Sequence, residues 1–145
     1  MKKELDKLLC QRYPLIFTEQ NIQMSATAMC WGLSCGEGWF DLIDILCERL
    51  QFWTDHNKAP QVVACQVKEK WGELCFYPIG EASPAQRGMI WMATAMSARI
   101  CEQCGKPGET LVHQHFHLTR CAEHAPEGAI SKMTYFARHV PGIAP

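Results

Sequence analysis

The sequence has no surplus of charge. Its 14 Lys and Arg balance 15 Asp and Glu, for a formal net charge of −1. Proteins dedicated to nucleic acid usually carry a basic excess, because phosphate contacts supply most of their affinity. That class is therefore disfavoured here, and a protein partner is the better expectation. No apolar run is long enough to span a bilayer, and the opening Met1-Lys2-Lys3-Glu4-Leu5 turns charged and amphipathic at once, unlike a secretory signal. A cytoplasmic protein is expected. Internal repeats and low-complexity tracts are absent.

Familiar catalytic patterns are missing as well. There is no Walker-type phosphate loop and no Rossmann fingerprint. No nucleophile elbow is visible, and no His-x-Glu precedes a Cys pair as in zinc deaminases. Hence no residue is assigned a catalytic role.

Cysteine, by contrast, is plentiful, with nine in 145 residues. The count is odd, and without a secretory signal a disulfide framework is not expected. Six of them (Cys10, Cys30, Cys35, Cys47, Cys65 and Cys75) sit beside apolar neighbours and read as reduced, buried thiols. The other three have metal spacing. Cys101-x2-Cys104 and Cys121-x2-His124 are separated by sixteen residues. Zinc takes four tetrahedral ligands, and thiolate and imidazole suit it. Gly105 follows the first pair, where positive φ helps the backbone wrap the sulfurs. The second pair fits the first turn of a helix, where residues three apart share a face. Between them, residues 110–118 read as strand within a short hairpin. Knuckle, hairpin and helix start would make a treble-clef-like finger holding structural Zn2+.

His113, His115 and His117 alternate along that strand, so period-2 geometry puts them on one face. They could serve as a second metal site or a general base, or one could replace His124 as fourth ligand. An exposed polar strand face is the simpler reading. A ββα-metal nuclease would place a catalytic histidine on such a hairpin, with partners on the following helix. His139, Glu123 and Glu127 are the available groups, and no Asp-His or His-Asn pairing stands out.

Elsewhere, helical periodicity predicts a short helix over residues 3–12, ended by Pro14. A longer helix is expected from about Trp39 to His56, with Phe40, Ile43, Leu46, Cys47, Leu50 and Trp53 on one face. Val63, Cys65 and Val67 alternate inward on a strand, Trp71-Gly72-Glu73 turns, and Leu74 to Tyr77 returns. Ser83-Pro84 starts a third helix, running to about Ile100. Its stripe Met89, Met92, Ala93, Met96 and Ile100 reads as core packing, with an adaptable Met-rich binding surface as the alternative. The fold class is thus α+β. A β-hairpin packed by two long helices occupies residues 1–100, and residues 101–145 form the finger and tail.

Three segments taken together carry a resemblance. They are Cys35-Gly36-Glu37-Gly38-Trp39-Phe40-Asp41-Leu42-Ile43-Asp44, then Gln66-Val67-Lys68-Glu69-Lys70-Trp71-Gly72-Glu73-Leu74-Cys75-Phe76-Tyr77, then Ser97-Ala98-Arg99-Ile100-Cys101-Glu102-Gln103-Cys104-Gly105-Lys106-Pro107-Gly108. Their order resembles a family of small, mostly uncharacterised bacteriophage and prophage proteins. That family has a Gly-x-Gly-Trp helix start, a Lys-Phe-Gly-x-Leu-Arg-Phe-Tyr hairpin and a C-terminal zinc finger. The chain departs from it at Cys75, in place of arginine, and in its histidine-rich finger strand. The resemblance implies a phage setting and no particular activity.

Three functions are open at this level. The first is a non-enzymatic protein that binds a host protein, in its sharpest form blocking a CRISPR effector or restriction enzyme. Trp31, Trp39, Trp71 and Tyr77 are its candidate contacts, since aromatics are enriched at interface hot spots. The second is nucleic-acid binding through the finger, using Lys106, Arg120, Lys132 and Arg138. The third is the metal-dependent nuclease.

Overall fold

The computed structural model describes residues 1–18 and 32–139. The proposed contact Trp31 and the thiol Cys30 lie outside the described residues. The elements run α1 (Lys3–Arg12), α2 (Phe40–His56), β1 (Val63–Lys70), β2 (Glu73–Ile79), α3 (Pro84–Ser97), β3 (Glu109–His113), β4 (Phe116–Arg120), β5 (Ile130–Ser131) and α4 (Lys132–His139). The class is α+β, with one two-stranded and one three-stranded antiparallel sheet.

The β1/β2 hairpin turns on two residues, Trp71 and Gly72, both at positive φ (58° and 79°). That is the geometry whose twist matches the flanking strands. Strand β1 does not keep the expected alternation. A register shift between Ala64 and Gln66 inserts Cys65 as a bulge. Ala64 and Val67 are therefore the buried pair, while Val63 and Cys65 are only half-buried. A bulge adds one unpaired residue and so switches the face of the residues beyond it.

Helix α2 lays Leu42, Ile43, Leu46, Cys47 and Leu50 into the core. There they join Leu9 of α1 and Val67, Leu74 and Phe76 of the hairpin. Helix α3 begins with a complete capping box. The Ser83 hydroxyl accepts from the Gln86 amide, and the Gln86 side chain accepts from the Ser83 amide. The rest of Gln86 is buried, and its Nε2 donates to Thr54 Oγ1 (3.0 Å) and to the Pro60 carbonyl (2.9 Å). At the other end of α3, Ser97 Oγ accepts from the Leu74 amide and Thr94 Oγ1 donates to the Leu74 carbonyl, both at 2.8 Å. These bonds pin α3 to β2 and satisfy the buried polar groups at that contact.

The Met stripe of α3 is only partly core. Ala93 is buried and Met89 half-buried, but Met92 and Met96 stand in solvent. Residues 92 and 96 lie on the side of α3 away from β2. Among the described residues no helix is long and apolar enough to cross a membrane.

Candidate metal centre

Strand β3 and strand β4 pair around a two-residue turn, Gln114-His115, in which both residues have positive φ (49° and 71°). This turn corrects the expectation that the three histidines share a face. Residues directly opposite in an antiparallel pair point the same way. His113 is opposite Phe116, and His117 is opposite Val112. His113 and His117 therefore lie on opposite faces, and His115 is in the turn itself. His117 packs among Trp71, Tyr135 and Phe136, at ring separations of 5.5, 6.2 and 6.4 Å. Its buried Nδ1 has no hydrogen-bond partner.

The hairpin separates two ligand pairs and brings them together at its base. The first pair is a knuckle. The Gly105 amide donates to the Cys101 carbonyl, and the Cys101 amide to the Lys106 carbonyl, both at 2.8 Å. Gly105 takes φ 77°, as its position demands. The second pair is not on a helix. Residues 122–124 form a turn closed by the His124 amide on the Cys121 carbonyl. The helix is delayed to Lys132, because Pro126 disfavours helical geometry at Ala125 and Gly128 takes φ 78°.

One ligand atom from each of Cys101, Cys104, Cys121 and His124 lies within 4.8 Å of the others. The Sγ atoms of Cys104 and Cys121 are 3.7 Å apart. Nδ1 of His124 is 3.7 Å from Cys101 Sγ and 3.2 Å from Cys121 Sγ. Metal–sulfur bonds of about 2.3 Å in a tetrahedron give sulfur–sulfur edges of about 3.8 Å. The donor set and spacing therefore suit a single metal ion. Burial pushes the Cys101 thiol up, but the backbone N–H groups of Cys121, Cys104 and Gln103 outweigh it and bring its pKa down to about 6. A readily formed thiolate is what a metal site requires.

The seat beneath this centre is the glycine-rich loop. Its Gly38 amide donates to the Glu102 carbonyl and its Gly36 amide to Glu102 Oε1, both at 2.8 Å. A Cβ on Gly38 would lie 2.2 Å from the Cys101 carbonyl oxygen and 2.3 Å from the Gly105 nitrogen. Only glycine lets the loop approach the knuckle backbone this closely. The other Glu102 oxygen accepts from Arg120 Nη1 at 2.8 Å. Beside the loop, Trp39 is fully buried, and its indole N–H donates to the Ile100 carbonyl. On the far side, Thr119 Oγ1 donates to the Gly72 carbonyl. The Cys101, Cys104, Cys121 and His124 cluster is thus tied to both the α2 start and the β1/β2 turn.

The candidate partner contacts fall into two groups. Trp39 is a core residue and presents no surface. Trp71 is 62% exposed and Tyr77 40% exposed, so both are accessible. Two larger exposures escape the sequence reading, namely Trp91 and Phe116, at 77% and 73%. Trp91 offered a signal, since helical spacing puts it a turn away from Arg87. The basic residues of the finger are largely matched by acids. Lys106 pairs with Glu123, Arg120 with Glu102 and Lys132 with Glu73. His139 stacks on Tyr135. Among the described residues the Cys101 cluster is the one group of three or more His, Cys, Asp or Glu placed to hold a metal.

Compared with family models, with curated proteins and with solved structures, the chain matches none of them.

Proposed function

We propose that the chain is a non-enzymatic, zinc-stabilised accessory protein that acts by binding another protein. The observation that carries this reading is a pairing of two features. Four protein donors fill a tetrahedral ion's coordination, the arrangement of structural zinc sites. Around that scaffold, large apolar side chains such as Trp71, Trp91 and Phe116 are held in solvent. Aromatic side chains on a rigid frame are the usual anchors of protein interfaces.

Zinc fits better than other ions because three thiolates and an imidazole are soft, tetrahedral donors. The centre keeps one treble-clef trait, the order knuckle, hairpin, helix, although its second ligand pair precedes α4 on a turn. The resemblance to phage proteins supports a host protein as target, and a bacterial defence complex is the sharpest version. Nucleic-acid binding is weakened by the acids that pair Lys106, Arg120 and Lys132.

The test is a pull-down from bacterial lysate with zinc-loaded protein, with and without nuclease treatment. A stoichiometric protein that survives nuclease supports the reading. Recovery of nucleic acid alone, lost at moderate salt, would move the function to the finger. Cleavage of DNA or RNA in magnesium or manganese would revive the nuclease.

A further inference from the structure

The donors of the candidate centre differ in what can reach them. Cys101 is fully buried and Cys121 nearly so, at 0% and 7% exposure. Cys104 is exposed, the one exposed thiol among the described residues. Two open pockets meet at it. One, of about 610 Å3, runs past Glu102, Gln103, Arg120 and His124. The other, of about 310 Å3, runs past Leu5, Phe40, Asp41 and Gly105. A small solute can therefore approach this sulfur from two sides. Behind it stands Cys121, with the two Sγ atoms 3.7 Å apart. A disulfide bond is about 2.05 Å long, so a small displacement joins them. Cys104 can supply the movement, because it lies in a turn, whereas Cys121 directly follows strand β4. An exposed cysteine beside a second sulfur is the arrangement of redox-sensing thiols. Metal ligation adds to it by holding the sulfur as the nucleophilic thiolate.

We propose that Cys104 is an oxidation site for hydrogen peroxide, and that its oxidation joins it to Cys121 and empties the metal centre. The proposal rests on the zinc part of the reading above and adds a redox-controlled state to it. Charge favours a small neutral oxidant. The cations of the larger pocket are matched by acids, Arg120 by Glu102 and Lys2 by Glu37. Asp41 adds a negative charge to the smaller one, which disfavours anionic oxidants such as glutathione disulfide. The chemistry balances in two steps. The Cys104 sulfur attacks one peroxide oxygen, the O–O bond breaks, and hydroxide leaves to become water, with a sulfenic acid formed on Cys104. The Cys121 sulfur then attacks the Cys104 sulfur and displaces the hydroxyl group as a second water, with protons from solvent. Two thiolates lose two electrons, and one hydrogen peroxide is reduced to two waters. With those sulfurs withdrawn, Cys101 and His124 remain, whereas a structural zinc site uses four donors. A dithiol reverses the step by thiol–disulfide exchange. Glu102, which holds the Gly36 and Gly38 amides, lies between Cys101 and Cys104, so the oxidised knuckle loosens the seat of α2.

The experiment treats zinc-loaded protein with hydrogen peroxide and follows zinc release with a chromophoric indicator. Remaining thiols are blocked with N-ethylmaleimide in denaturant, and the chain is digested with trypsin without reduction and read by mass spectrometry. Cleavage after Arg120 separates the peptide holding Cys101 and Cys104 from the one holding Cys121. Zinc release is expected together with a cross-linked pair of peptides whose fragments place the bond between Cys104 and Cys121. Dithiothreitol with added zinc should restore the starting state. Cys104→His keeps four donors without the oxidisable sulfur, and it should hold zinc and release it to peroxide about tenfold more slowly or less. Zinc retained under peroxide, a bond between Cys101 and Cys104, oxidation first at another cysteine, or equally fast release from Cys104→His would overturn the proposal. The wild-type peptide map decides the pairing by itself if Cys104→His fails to fold. Protein that holds no zinc before treatment would overturn the zinc reading, and this proposal with it.

Discussion

The indole N–H of Trp39 donates to the carbonyl of Ile100 at 2.9 Å, one residue before Cys101. This bond ties the start of α2 to the candidate metal centre. Replacing Trp39 by Phe keeps most of the burial and removes the bond. It should cost about 1 kcal/mol and speed loss of the proposed zinc to a chelating dye. Trp39→Ala adds a cavity and should cost about 3–5 kcal/mol. Thermal unfolding and chelator kinetics measured together check both. An unchanged rate of zinc loss in Trp39→Phe would uncouple α2 from the finger.

Gly38→Ala places a methyl group against the knuckle backbone. Because the contacting atoms are main chain, the knuckle must shift to admit it. A destabilisation of about 1–3 kcal/mol is expected, with faster zinc release. Wild-type stability in this variant would show that the loop does not seat the knuckle.

The cap of α3 is remote from the centre. Ser83→Ala removes the capping box and should cost about 1 kcal/mol, leaving zinc affinity unchanged. Chemical denaturation and a zinc competition assay separate the two quantities.

Thiol chemistry distinguishes the cysteines. Burial pushes Cys35 up to about 12 from its ordinary value of 9.0, and raises Cys47 as well. Neither should react with iodoacetamide at pH 8 in the native protein, and both should react in denaturant. Stability should depend on pH accordingly. The folded pKa of Cys35 lies above the unfolded one, so its contribution is full below pH 9 and is lost as pH rises toward 12. Mass spectrometry after a labelling pulse checks the reactivity, and unfolding at stepped pH checks the sign.

The sequence is legible where short-range chemistry decides. The ligand pairs, Gly105, the Trp71-Gly72 turn and the Ser83 cap depend on neighbours a few residues away. It misleads where distant contacts decide. The Gly36-Glu37-Gly38 loop reads as a helix entry, and only the approach of Glu102 and Cys101 shows why it has no side chains at 36 and 38. Trp39 reads as a candidate contact because its acceptor, Ile100, is far along the chain. His113 and His117 read as sharing one face because a turn of Gln114-His115, without glycine, does not announce itself. The Cys65 bulge and the exposed Met92 and Met96 are hidden for a related reason, since periodicity gives a spacing and not which side is covered.

The most direct measurement is metal content with its ligand set. Protein refolded with excess zinc and then dialysed should hold one zinc per chain. Replacement by cobalt should give the absorption of a tetrahedral ion bound by three thiolates and one imidazole, lost in Cys121→Ser and altered in His124→Cys. Protein that stays folded with no bound metal, or whose cobalt spectrum survives Cys121→Ser unchanged, would contradict the Cys101, Cys104, Cys121 and His124 centre.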